Sequence, residues 1–206
     1  MKIRFIQKII DKFRKKQGSK AKIKGVGNNI SLPKNDKNAI RIEIFGNNNE
    51  IIFDEDIKLF VGDIYIGTPD CTTDNCKVVI KKGVTSNGCS IRILEDSSIV
   101  KIGENSMLST GIYIAASDTH CVLDTEGNLL NEGRFVDIGT NVWIGLDVKI
   151  GKNTRIPNGC IIGAGSIVTK SFSEENCLIA GNPASIKKRN IKWDRMRPKQ
   201  FLSQQK

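Results

Sequence analysis

An all-β fold, wound as a parallel β-helix, follows from three features of this chain of 206 residues. The first is a run of hexapeptides beginning at Ile138: IGTNVW, IGLDVK, IGKNTR, IPNGCI, IGAGSI and VTKSFS. A hexapeptide period marks a solenoid of short stacked strands. The second is what recurs within each block. Position one is always Ile or Val (Ile138, Ile144, Ile150, Ile156, Ile162, Val168), and position five is small or β-branched in Val142, Val148, Thr154, Cys160 and Ser166. Both positions therefore point inward. The third is the corner chemistry: Gly at position two where a side chain would collide or φ must turn positive, and Asn141, Asp147, Asn153 and Asn158 as residues tolerant of left-handed backbone. Three strands make one triangular coil, which stacks Ile138 under Ile156 and Ile144 under Ile162.

Charge divides unevenly along the chain. The net charge of +10 is concentrated at the ends: residues 1–24 hold ten Lys/Arg against one Asp, and residues 187–206 hold eight against one. The remaining 14 basic and 20 acidic residues leave the body at −6. A basic face for nucleic acid is not the pattern seen. No apolar run approaches the roughly 18–20 residues that span a bilayer, and no secretory leader is evident, so the cytoplasm is the expected location. Six cysteines without paired CxxC spacing read as reduced thiols, Cys160 at an inward repeat position among them.

The first sixteen residues place Ile3, Ile6, Ile10 and Phe13 on one helical stripe, with Lys and Arg opposite. This basic amphipathic helix, assigned with its flank to 1–24, suits either of two tasks: capping the open first coil, or resting on an anionic membrane surface at the inner face of the membrane. Residues 25–186 form the β-helix. Its early part is irregular, with Ile40, Ile42 and Ile44 alternating before a GNNNE turn and a loop at 68–76. The pattern is regular from Ile93 to Ser117 and then breaks. The polar stretch 121–135 reads as a protruding loop, of a length that is often functional. Residues 187–206 form a basic tail, which the sequence leaves open between a short packed helix and a free end.

Chemistry is sought where the repeat breaks. His120, the single histidine, stands where a buried strand hands over to the loop. An imidazole exchanges protons near neutral pH and suits a general base. One histidine also argues against a metal site, for which three protein ligands are usual. Asp118, two residues earlier, either orients the imidazole or forms a turn with its own backbone. Trp143 occupies an outward position and suits stacking on a ligand or packing between subunits. Gly145, Gly163 and Ala164 leave strands unobstructed for a long thin ligand, and Thr169, Lys170, Lys187 and Lys188 lie near one end, suited to phosphates.

The run from DTH at 118–120 through VDIGTNVWIGLDVKIGKNTRIPNGCIIGAGSIVTKSF to IAGNPASIKK resembles the hexapeptide-repeat acyltransferases, and within them the bacterial O-acetyltransferases of capsule, lipopolysaccharide or polysialic acid. The resemblance implies a left-handed coil, a homotrimer with active sites between subunits, and acetyl-CoA as acyl donor. It also implies His120 as the catalytic histidine, Trp143 as the aromatic of the VWIG motif, and Ala164, Thr169 and Lys170 as contacts to CoA. Ser185 stands where related sugar acetyltransferases often carry Arg after the NP turn, which moves phosphate binding to Lys187 or Lys188. The expected reaction is direct transfer to a hydroxyl of a surface glycan or sugar, without metal. An N-acetyltransferase acting on an amino sugar nucleotide and a non-catalytic solenoid scaffold are the alternatives.

Overall fold

The structure is a computed structural model and describes residues 19–33 and 38–204; the amphipathic helix expected at the N-terminus lies outside them. Short parallel strands stack into a triangular prism. Face one carries residues 59–60 and 85–86, then Met107–Leu108, Trp143–Ile144, Ile161–Ile162 and Leu178–Gly181. Face two runs from Lys20–Lys24 and Ala39–Phe45 through 62–66 and 89–93 to Ile112–Ala115, Lys149–Ile150 and Ile167–Val168. Face three stacks Asn29–Ser31, Glu50–Phe53, Lys77–Ile80, Ile99–Ile102, Phe135–Ile138 and Thr154–Ile156. The strands Leu59–Ile66 and Thr85–Ile93 bend through an edge, so faces one and two join into one sheet of twelve strands beside a separate sheet of six.

Register follows the repeat. Ile138 pairs with Ile156, Ile144 with Ile162 and Ile150 with Val168, each eighteen residues on. These side chains are at most 1% exposed, as are Val142, Val148 and Cys160. Burying each isoleucine stabilises the fold by about 1.5–3 kcal/mol. Within the hexapeptide run from Ile138 the two polar residues at position five are satisfied: Thr154 Oγ1 donates to Gly151 O at 2.7 Å and Ser166 Oγ to Gly163 O at 2.6 Å, whereas Ser98 Oγ, on an earlier coil, is buried without a partner among the described residues. A buried hydroxyl without such a bond would cost on the order of 1–3 kcal/mol.

The corners divide the two tasks that the sequence assigned to glycine. At Gly139, Gly145 and Gly163 position two needs glycine for closeness: a Cβ on Gly145 would lie 2.8 Å from Ala164 N and 2.9 Å from Ile162 O. Left-handed backbone falls at position four, with φ 55° at Asn141, 54° at Asp147 and 55° at Asn153. Asn158 departs from that expectation. Its neighbour Gly159 takes the positive φ, and Asn158 Oδ1 instead accepts a hydrogen bond from Thr140 N at 2.8 Å, fastening its coil to the previous one.

Two boundaries shift from those read in the sequence. Lys20–Lys24, placed with the helical cap, is already a solenoid strand. Lys187 and Lys188, placed in the tail, belong to the strand Ala184–Lys188, which returns antiparallel to Leu178–Gly181. The tail is packed rather than free. It runs back along the edge joining faces three and one: Ile191 N donates to Asn176 O at 2.9 Å, Trp193 Nε1 to Asn141 O at 2.7 Å, and Arg195 to Asn105 O at 2.9 Å and Thr85 Oγ1 at 2.8 Å. It ends in the short helix Pro198–Ser203. Among the described residues no helix is long and apolar enough to cross a membrane.

Candidate functional site

The interruption at His120 leaves from the edge joining faces two and three. Buried Ser117 anchors its start, with Oγ accepting Leu94 N at 2.8 Å. The loop then folds on itself. Leu123 bridges Leu129, Leu130 N donates to Val122 O at 2.8 Å, and the Asp124 carboxylate accepts from the amides of Glu126 and Asn128. An aspartate gathering the amides two and four residues ahead closes a tight turn. The Asn128 side-chain bond, with these amides, holds the Asp124 carboxyl below its ordinary range. At the return, Gly133 N donates to Glu95 Oε2 at 2.6 Å and Arg134 N to Asn153 Oδ1 at 2.9 Å. The loop is a hydrogen-bonded hairpin set on a rigid edge, and Val122, Leu123, Leu129 and Leu130 stand out from it at 53–62% exposure.

His120 is exposed at the base of this hairpin. Its carbonyl accepts Asn131 Nδ2 at 2.8 Å, and the same amide nitrogen donates to Asp118 Oδ2 at 2.8 Å. Lys152, from the next coil, donates its ammonium to both Asp118 Oδ2 and Asn131 O. The Lys152 bond first, and that of Asn131 second, hold the Asp118 carboxyl below its ordinary range. The carboxylate of Asp118 thus engages Lys152 and Asn131, and among the described residues makes no hydrogen bond to the His120 ring. Lys152 and Asn131 carried no signal in the sequence. Lys152 sits at an outward corner position shared with Thr140 and Leu146, and Asn131 is one polar residue in a polar loop.

The other site residues lie elsewhere on the prism. Trp143, on face one, is 37% exposed and has the Trp193 ring 6.0 Å away, tilted by 46°. Trp193 comes from the tail and was not expected at the site. Gly145, Gly163 and Ala164 form the edge between faces one and two, and Gly145 is buried beneath Ala164. Thr169 and Lys170 follow Val168 on the edge between faces two and three, on the coil after Lys152. Both are exposed, and Lys170 Nζ lies 5.8 Å from the centre of the Phe172 ring. Lys187 and Lys188 are exposed on the antiparallel strand at the end of the solenoid. Within one chain the structure therefore joins His120 to Asp118, Asn131 and Lys152, and Trp143 to Trp193. The edge that bears His120 is opposite the face that bears Trp143, with the packed core between them. Among the described residues no three of His, Cys, Asp and Glu are grouped to hold a metal ion.

No protein-family model matches the sequence. Solved structures do. The polySia-specific acetyltransferase NeuO is 28% identical, with a TM-score of 0.71 over 91% of this chain and 94% of its own. The polysialic acid O-acetyltransferase OatWY is 28% identical, with a TM-score of 0.62 over 86% of this chain and 92% of its own.

Proposed function

The chain resembles the hexapeptide-repeat acetyltransferases, polysialic acid O-acetyltransferases among them, and shares their left-handed β-helix; from that likeness we propose that it transfers an acetyl group from acetyl-CoA to a hydroxyl of an acidic surface glycan. The observation that carries this reading is the placement of His120: an exposed imidazole at the base of a hydrogen-bonded hairpin that interrupts the solenoid of this chain.

His120 takes the proton from the acceptor hydroxyl as that oxygen attacks the thioester carbonyl. The C–S bond then breaks, coenzyme A leaves as its thiolate, and the proton passes from the imidazole to that sulfur. Such base assistance is worth about 10²–10⁴-fold, and holding both reactants together supplies much of the remainder. The exposed small residues Ala164 and Gly165 leave room beside the strands for the pantetheine arm, a Cβ on Gly165 meeting nothing within 4 Å. Lys170, Lys187 and Lys188 would hold the phosphates. The placement of His120 and Trp143 on opposite sides of one prism supports a site completed between neighbouring subunits of a homotrimer. The exposed leucines and Val122 of the hairpin suit burial against a second copy.

The test is thiol release from acetyl-CoA across polysialic acid, other anionic capsule polymers, free sugars and an amino sugar nucleotide. Turnover with an acidic glycan, with the product ester labile to mild base, is expected. Turnover with the amino sugar nucleotide alone would make the enzyme an N-acetyltransferase. His120→Ala should lose most turnover and keep acetyl-CoA binding; full activity in that variant removes the base.

A further inference from the structure

We propose that Asn131 and Lys152 are positioning residues that fix His120 for proton transfer, a role that rests on the reading of His120 as the base. The backbone around His120 is held by one side chain. Asn131 Nδ2 donates to the carboxylate of Asp118 and the carbonyl of His120, each at 2.8 Å, and Asn131 Oδ1 accepts Val122 N at 2.8 Å. Residues 118–122 form a bent, irregular segment, and a single amide grips it at three points. Among the described residues the His120 ring makes no hydrogen bond and can face a substrate.

Lys152 ties this grip to the solenoid. Its side chain is 19% exposed, and its ammonium donates to the Asp118 carboxylate and to the carbonyl of Asn131, closing a ring of three residues. The corner that carries it is rigid. Next to it, Asn153 N donates to Phe135 O at 2.7 Å, Asn153 Nδ2 donates to Glu132 O at 2.9 Å, and Asn153 Oδ1 accepts Arg134 N at 2.9 Å. The position of His120 is thus referred, through Asn131 and Asp118, to a coil whose core is closed. Proton transfer tolerates little misplacement, since an error of about 1 Å costs on the order of 100-fold. Asp118, which the sequence left open between orienting the imidazole and forming a turn, bonds Asn131 and Lys152 and through them holds the backbone that carries His120.

The experiment measures kcat and KM for Asn131→Ala, Lys152→Met, Lys152→Arg and His120→Ala by thiol release, beside a thermal melt of each. Asn131→Ala and Lys152→Met are expected to lower kcat by about 10- to 100-fold, with KM for acetyl-CoA and acceptor within about threefold. Lys152→Arg, which keeps charge and donors, is expected to recover most of kcat. Unchanged kcat in Asn131→Ala and Lys152→Met while His120→Ala is inactive overturns the positioning role and leaves the base standing. A raised KM at unchanged kcat also overturns it, by making these residues binding groups. Full activity in His120→Ala overturns the base itself. Should Lys152→Met fail to fold, Asn131→Ala, which changes only the loop, carries the test.

Discussion

Trp193 donates its indole N–H to the carbonyl of Asn141, two residues before Trp143, and lays its ring 6.0 Å from the Trp143 ring. The tail is held there by Arg195, which donates to Thr85 Oγ1 and to the carbonyls of Gly83, Asn105 and Ser106 on two earlier coils. These two are the only tryptophans in the chain, so its tryptophan emission reports the surroundings of this pair. Arg195→Ala should release the tail and shift emission to longer wavelength, toward that of a solvated indole. An unchanged spectrum would show that Arg195 does not hold the pair together.

Two glycines separate backbone strain from crowding. Gly159 and Gly165 have φ of 66° and 69°, but a Cβ on Gly159 would lie 2.2 Å from Asn176 Oδ1, whereas one on Gly165 would meet nothing within 4 Å. Gly165→Ala should cost about 1–2 kcal/mol, the penalty for left-handed backbone alone, and Gly159→Ala clearly more. Equal losses in urea denaturation would mean that the Asn176 side chain moves aside freely.

The inward column predicts its own sensitivity. Ile162 is fully buried between Ile144 and Ile179 on the adjacent coils. Ile162→Ala should lose about 2–5 kcal/mol through lost transfer energy and the cavity left behind. A loss below about 1 kcal/mol in equilibrium unfolding would imply that neighbouring coils collapse into the space.

Acid should loosen the hairpin. The Asp118 carboxyl lies below its ordinary range because Lys152 first, and Asn131 second, favour the ionised form. A depressed folded-state value means that this stabilisation is complete above the unfolded value and declines as pH falls through the folded one. Amide protection at Val122, which depends on Asn131, should therefore persist at neutral pH and fall below about pH 4. Asp118→Asn should weaken protection at neutral pH and flatten the dependence. A profile identical to that of the unmodified protein would assign the acid sensitivity to another group.

The coil was legible because its physics is local and repeated. Ile138 to Val168 declare their inward direction by spacing alone, and the pairing in the structure follows that spacing. His120 was findable for the opposite reason, as a unique residue at the point where the period fails. Its partners were not. Lys152 reaches Asp118 across thirty-four positions, and Trp193 reaches Asn141 across fifty-two. Nothing in the sequence near either end of such a bond distinguishes a clamp from a solvated side chain. Asn158 shows the same limit at short range, since an Asn–Gly pair at a corner offers two candidates for the left-handed position and the backbone took glycine.

Across the hairpin, Ile102 pairs with Ile138, Leu108 with Ile144 and Ile114 with Ile150, each thirty-six residues on, where the uninterrupted coils that follow use eighteen. The insertion is thus one coil long in sequence and absent from the stacking. Lengthening such a connection adds only about 0.6 kcal/mol of closure entropy per doubling. Length added at this edge therefore leaves the count of the prism beneath it unchanged, provided the bonds of Asp118 and Asn131 to Lys152 are kept.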